Sequence, residues 1–131
     1  MNDLPPDKKK ILVIDDVDEN ADIIVQKLTH IGYSVVVASD GETGIETAIK
    51  EIPDLIICDI MLPGMDGWRV LDLLKQNYVT KHIPVIFITA YTTIQFQGEK
   101  IRAIEKGAVD YLKKPFDLSE MVQLVKKYTE K

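Results

Sequence analysis

Five short apolar runs punctuate the chain: Ile11-Leu12-Val13-Ile14, Ser34-Val35-Val36-Val37, Leu55-Ile56-Ile57-Cys58, Val85-Ile86-Phe87-Ile88 and Val109 to Leu112. Most are continuously apolar and rich in β-branched residues rather than alternating. Strands buried on both faces read this way, so the runs predict a parallel sheet covered by helices. The intervening segments carry helical periodicity. Ile24, Leu28 and Ile31 share a stripe, and Gly32 stands where a helix would end. Ile45, Ala48, Ile49 and Ile52 form the next stripe, stopped by Pro53. Val70, Leu71, Leu73 and Leu74 follow a helix start near Asp66 or Gly67. Ile101, Ala103 and Ile104 run to Gly107, and Leu118, Met121, Val122 and Val125 follow Asp117 as N-cap. Strands alternating with helices of this length predict repeated βαβ units in an α/β fold.

The length of 131 residues suits one domain with a core of its own. The composition, 46% hydrophobic and 28% charged, is that of a globular protein rather than a disordered one. No apolar run approaches the roughly 20 residues of a bilayer span. A single cysteine, Cys58, excludes an internal disulfide framework, and its apolar strand makes it a small buried hydrophobe. The net charge of −5 argues against direct binding of nucleic acid or an anionic membrane. Residues 1–9, with their prolines and most of the Lys8-Lys9-Lys10 run, are expected to form a flexible arm without a secretory h-region.

In open α/β sheets, chemistry collects at the C-terminal ends of the strands. The first run ends in Asp15-Asp16, the third in Asp59, the fourth in Thr89-Ala90, and the fifth in Lys113-Lys114-Pro115. Any one Asp there reads as a turn former or helix cap. Three on one edge repel one another and call for a positive partner, for which a hard, oxygen-loving cation such as Mg²⁺ is suited. Asp15-Asp16-Val17-Asp18-Glu19 stands where a dinucleotide fold needs a glycine-rich turn, and no P-loop is present. His30 and His82 lie far from the strand ends and read as surface residues; Trp68 reads as packing. A carboxylate, a metal, a lysine and a threonine suit phosphoryl transfer to a side-chain carboxylate.

The stretches Ile11 to Asp16, Pro53 to Gly67, Val85 to Ala90 and Gly107 to Phe116 together resemble the receiver domain of two-component response regulators. The similarity runs from Lys10 to the C-terminus, so residues 10–131 are expected to be that domain. The resemblance implies a flavodoxin-like, doubly wound, five-stranded parallel sheet of order 2-1-3-4-5 with five helices. It implies that Asp59 is the phosphoacceptor. Asp16, Asp59 and the backbone carbonyl of Met61 would hold Mg²⁺, with Asp15 acting through water. Lys114, joined to Pro115 by a cis peptide bond, would pair with phosphoryl oxygens. Thr89 would reach the phosphoryl group, and Tyr111 would be the aromatic switch residue that turns inward when Thr89 moves. Pro63 and Gly64 would shape the loop after the acceptor.

The implied function is a cytoplasmic signalling switch that catalyses only its own phosphorylation and dephosphorylation. Its implied partners are a histidine kinase or histidine phosphotransfer protein and a downstream output domain or protein. A phosphorylation-dependent homodimer through the fourth and fifth helices belongs to the same set. Two other readings stand beside it: a phosphorylation-independent interaction module, and an Asp-nucleophile phosphohydrolase. The haloacid-dehalogenase type of the latter would need a second Asp two residues after Asp59, where Met61 stands. Thr89 and Lys114 are 25 positions apart, a few more than the family's usual spacing. The excess falls in Tyr91 to Glu99, where Ile94 and Phe96 are read either as satellite core or as part of a lid facing a partner.

Overall fold

The computed structural model describes residues 8–16, 18–89 and 93–130. Strands and helices alternate: β1 (Lys10–Ile14), α1 (Asp18–His30), β2 (Ser34–Ala38), α2 (Gly41–Glu51), β3 (Leu55–Asp59), α3 (Gly67–Gln76), β4 (Val85–Thr89), α4 (Thr93–Glu105), β5 (Asp110–Lys113) and α5 (Leu118–Thr129). The strands form one parallel sheet in the order β2-β1-β3-β4-β5. Ile14 pairs with Cys58, Asp59 with Ile88, and Thr89 with Lys113. This register brings the residues after β1 and the ends of β3, β4 and β5 to one edge.

The apolar runs are continuous because both sheet faces are covered. Leu12, Ile14, Ile56, Cys58, Val85 and Phe87 point into one core with Ala48, Val70, Leu71, Leu74 and Ala103 from α2, α3 and α4. Ile11, Val13, Leu55, Ile57, Ile86 and Ile88 alternate with them and point to the other face, onto α1 and α5 through Ala21, Ile24, Leu28, Met121 and Val125. A strand's period of two thus converts one apolar run into two cores. The edge strand β2 is covered less, and Val37 is exposed.

Helix ends follow local chemistry. Asp40 and Asp66 accept the amides of Thr43 and Arg69 at the starts of α2 and α3. Asp117 precedes α5 as expected but makes no side-chain cap bond. After α1, Gly32 adopts φ +114°, and the Tyr33 amide reaches back to Leu28. After α2 that left-handed position falls instead to Ile52, φ +47°, immediately before Pro53. A β-branched residue is strained there, and Ile52 is 57% exposed, so packing does little to offset the strain. Ile52→Gly is therefore expected to raise unfolding stability by about 0.5–1 kcal/mol, after the cost of glycine's greater unfolded-state entropy. The check is an increased urea midpoint at unchanged m-value; a lower midpoint would contradict the strain argument.

Two expectations need correction. Ile101 and Ile104 do not form the buried stripe of α4; they are 63% and 45% exposed, and Ala103 between them is the buried residue. Spacing shows which residues share a helix face, not what that face meets. Lys10 is not part of a solvated run: its ammonium pairs with Glu51 at 2.6 Å and its amide donates to Asp54. Residues 1–7 of the expected arm lie outside the described residues, and Lys9 already accepts the Ser34 amide. Among the described residues, no helix is long and apolar enough to cross a membrane.

Candidate functional site

Asp59 closes β3 and is 5% exposed. Its Oδ1 accepts the Met61 amide at 2.9 Å, and its Oδ2 accepts the Lys114 ammonium at 2.8 Å. Lys114 Nζ also lies 3.4 Å from Asp15 Oδ2. Asp15 is fully buried directly after β1, whereas Asp16 is exposed. One carboxylate oxygen from each of Asp15, Asp16 and Asp59 falls within 4.8 Å of the others. The three acids and the lysine predicted from the strand ends thus come together in one place.

The lysine is set by backbone as much as by charge. Its amide donates to the Thr89 carbonyl at 2.6 Å, extending the β4–β5 ladder. The Lys114–Pro115 peptide bond is cis, as the resemblance implied. Burial by itself would lower the Lys114 pKa, but the hydrogen bond and charge of Asp59, with those of Asp15, outweigh it and hold the ammonium above its ordinary value.

Thr89 is fully buried, and its Oγ1 has no hydrogen-bond partner among the described residues. A buried hydroxyl left without a partner costs about 1–3 kcal/mol and requires an explanation. Tyr111 is 2% exposed, with its ring edge-on to Phe87 at 6.4 Å. The inward turn expected of Tyr111 on modification has no outward starting point here. The β4–β5 register places it opposite Phe87, in the same core layer.

The loop after Asp59 is tight. Gly64 has φ +76°, which favours glycine, and the Met65 amide reaches Pro63. Gly67 begins α3 so close to the acceptor strand that a Cβ would lie 2.7 Å from the Asp59 carbonyl oxygen and the Ile60 Cα. Sequence reading singled out Gly67 only as a helix start, and an Asp-Gly at a helix N-terminus does not reveal the close approach. The Met61 side chain is exposed. Cys58 is buried, and desolvation, followed by the charges of Asp59 and Asp15, pushes its thiol pKa upward, so it is no nucleophile. His30 and His82 are exposed. Trp68 does pack, edge-on to Phe87 at 5.1 Å, but it also carries the Arg102 guanidinium 4.5 Å from its ring. Arg102 drew no attention in the sequence. Tyr91 lies outside the described residues, as do the side chains of Ile94 and Phe96 in α4.

Comparison with known proteins points the same way as this geometry. The family model of the response regulator receiver domain matches residues 11–126. Response regulator PleD of Caulobacter vibrioides is 44% identical over 108 residues, 82% of this chain and 23% of PleD. The transcriptional regulatory protein HprR of Escherichia coli is 41% identical over 117 residues, 89% of this chain and 50% of HprR. The chain therefore spans between about a quarter and a half of these relatives. Among solved structures, the receiver domain of sensor histidine kinase PA1611 from Pseudomonas aeruginosa superposes with a TM-score of 0.83 at 27% identity, covering 95% of this chain and 99% of that one. That structure has a magnesium ion coordinated in its active-site cleft. With its sheet order, its acid cluster and a family match across nearly its whole length, this chain belongs to the response regulator receiver domains, the phosphorylatable switches of two-component signalling.

Proposed function

We propose that Asp59 is the residue phosphorylated, and that the donor is a phosphohistidine on a kinase or phosphotransfer protein. The observation that carries this is the position of Asp59: at the end of the central strand, bonded to Lys114 and facing Asp15 and Asp16. A carboxylate oxygen of Asp59 forms the new P–O bond as the P–N bond to the donor imidazole breaks. The imidazole nitrogen keeps the electron pair, and Asp59 becomes an acyl phosphate. Lys114 shifts its ammonium from the carboxylate to a phosphoryl oxygen, and Thr89 Oγ1, which has no partner among the described residues, gains a phosphoryl acceptor. Both groups are placed before the reaction, so little reorganisation is needed as charge develops.

The all-oxygen donor set fits Mg²⁺, and the magnesium reported for the PA1611 receiver supports the same reading. Asp16 and Asp59 would hold the ion directly with the Met61 carbonyl, and Asp15 through water. When bound, it supplies positive charge against the phosphoryl oxygens. The same residues serve the return step, in which water attacks phosphorus, the P–O bond to Asp59 breaks, and inorganic phosphate leaves the free carboxylate behind. Residues 10–131 act as the switch, in the cytoplasm. The modified form is read by an output domain, a separate target or a second copy of the chain. The complete set of Asp59, Thr89 and Lys114 disfavours a phosphorylation-independent module.

The test is metal dependence. Asp16→Ala is expected to weaken Mg²⁺ binding, followed by calorimetry, by more than the roughly 10–100-fold that loss of an outer ligand costs; Asp15→Asn should stay within that range. Labelling of the wild-type protein by a small acyl phosphate should vanish in chelator. Undiminished labelling there would sink the site assignment.

A further inference from the structure

The C-terminal half of α4 is held lightly. Of its described side chains from Lys100 to Glu105, only Ala103 is buried, and Ile101 and Ile104 face outward. So few buried side chains among the described residues of its C-terminal half place that half toward the low-stability end of a fold. Arg102, in the same half of the helix, has its guanidinium 4.5 Å from the Trp68 ring centroid at the start of α3. Trp68 is one residue after Gly67, whose amide donates to the Ile60 carbonyl at 2.7 Å and where an added Cβ would lie 2.7 Å from the Asp59 carbonyl oxygen. The Trp68 ring meets Phe87 edge-on, and Phe87 meets Tyr111.

We propose that the Arg102–Trp68 stack is a latch that holds α4 in place in the unmodified protein and ties its release to the loop after Asp59. The acceptor loop and Trp68 share a rigid junction, because Gly67 leaves no room for the loop to move without α3's first turn. Displacement of that turn changes the face that Trp68 offers to Arg102. A switch needs a contact that differs between its two states, and this stack is such a contact. An exposed cation–π pair shifts an equilibrium about two- to fivefold, enough to bias the C-terminal half of α4 without fixing it. The latch itself stands on the unmodified geometry; only its release rests on phosphorylation of Asp59.

The experiment is hydrogen exchange of the α4 amides from Lys100 to Lys106, with Trp68, the only tryptophan, as a fluorescence reporter. In the unmodified protein, Arg102→Gln should speed α4 exchange about two- to fivefold and shift Trp68 emission, leaving β1 and β3 unchanged. Arg102→Lys, which keeps a cation, should fall between. Trp68→Leu, which keeps apolar packing, should match Arg102→Gln. Unchanged α4 exchange in both Arg102→Gln and Trp68→Leu would overturn the latch. Beryllofluoride with Mg²⁺ should speed α4 exchange in the wild type and add less in Arg102→Gln. Equal increments in the two proteins would remove the stack from the signalling route. Failure of beryllofluoride to bind either protein would count against phosphorylation of Asp59 while leaving the latch measured in the unmodified protein.

Discussion

Asp59→Asn is expected to reduce phosphoryl incorporation from a small acyl phosphate to background, where the wild-type protein gains one phosphoryl group by mass. The substitution is chosen to change as little else as will settle the question. An asparagine carbonyl can still accept the Met61 amide or the Lys114 ammonium, both within 3 Å of the native carboxylate. What it lacks is an anionic oxygen able to form the acyl phosphate. Asp15 cannot stand in: it is fully buried after β1, with no exposed carboxylate surface for a phosphoryl donor to reach. Asp16 is exposed but ends no strand, and no lysine is paired to it in the described geometry. Labelling of Asp59→Asn at the wild-type rate would move the acceptor elsewhere. The product should also persist longer than an enzyme's turnover intermediate, since Met61 occupies the position from which a hydrolase's second acid would transfer protons.

The sheet and most of this site were legible in the sequence for a physical reason. A parallel sheet buries both faces of its inner strands, so β1, β3 and β4 announce themselves as unbroken apolar runs. The apolar run stops where the strand ends, and the first polar residues there must lie on the edge where Asp15, Asp59, Thr89 and Lys114 meet, buried though the first three are. The failures came where a residue's role depends on what approaches from another element. Ile101 and Ile104 carry a helical stripe whose target no spacing can reveal. Ile52 adopts a left-handed backbone that sequence would assign to glycine, because Pro53 forces the helix to stop there. The inward placement of Tyr111 depends on its register with Phe87. Arg102 and Trp68, 34 positions apart, meet only because α3 and α4 cover the same face of the sheet.

Lys114→Met is expected to cost about 2–3 kcal/mol of unfolding stability in chelator at neutral pH, seen as a lowered thermal midpoint. Removing one partner of a fully buried ion pair costs about 3–5 kcal/mol, because the remaining charge is stranded. Here the Lys114 side chain keeps 17% of its exposure, which reduces the figure, but it leaves two carboxylates facing each other rather than one. The pH dependence has a definite sign. The folded pKa of Lys114 lies above its ordinary value of about 10.4, so its contribution is fully present below that pH. It is lost as pH rises through the folded value. The gap between wild type and Lys114→Met should therefore be flat across neutral pH and begin to close only in the alkaline range. Mg²⁺ should raise the midpoint of the variant more than that of the wild type, since the cation then meets the three acids without a competing ammonium. If Lys114→Met is as stable as the wild type in chelator and gains no more from Mg²⁺, Lys114 is not the counter-charge of the acid cluster. The cluster's repulsion must then be relieved by solvent through Asp16, its one exposed member.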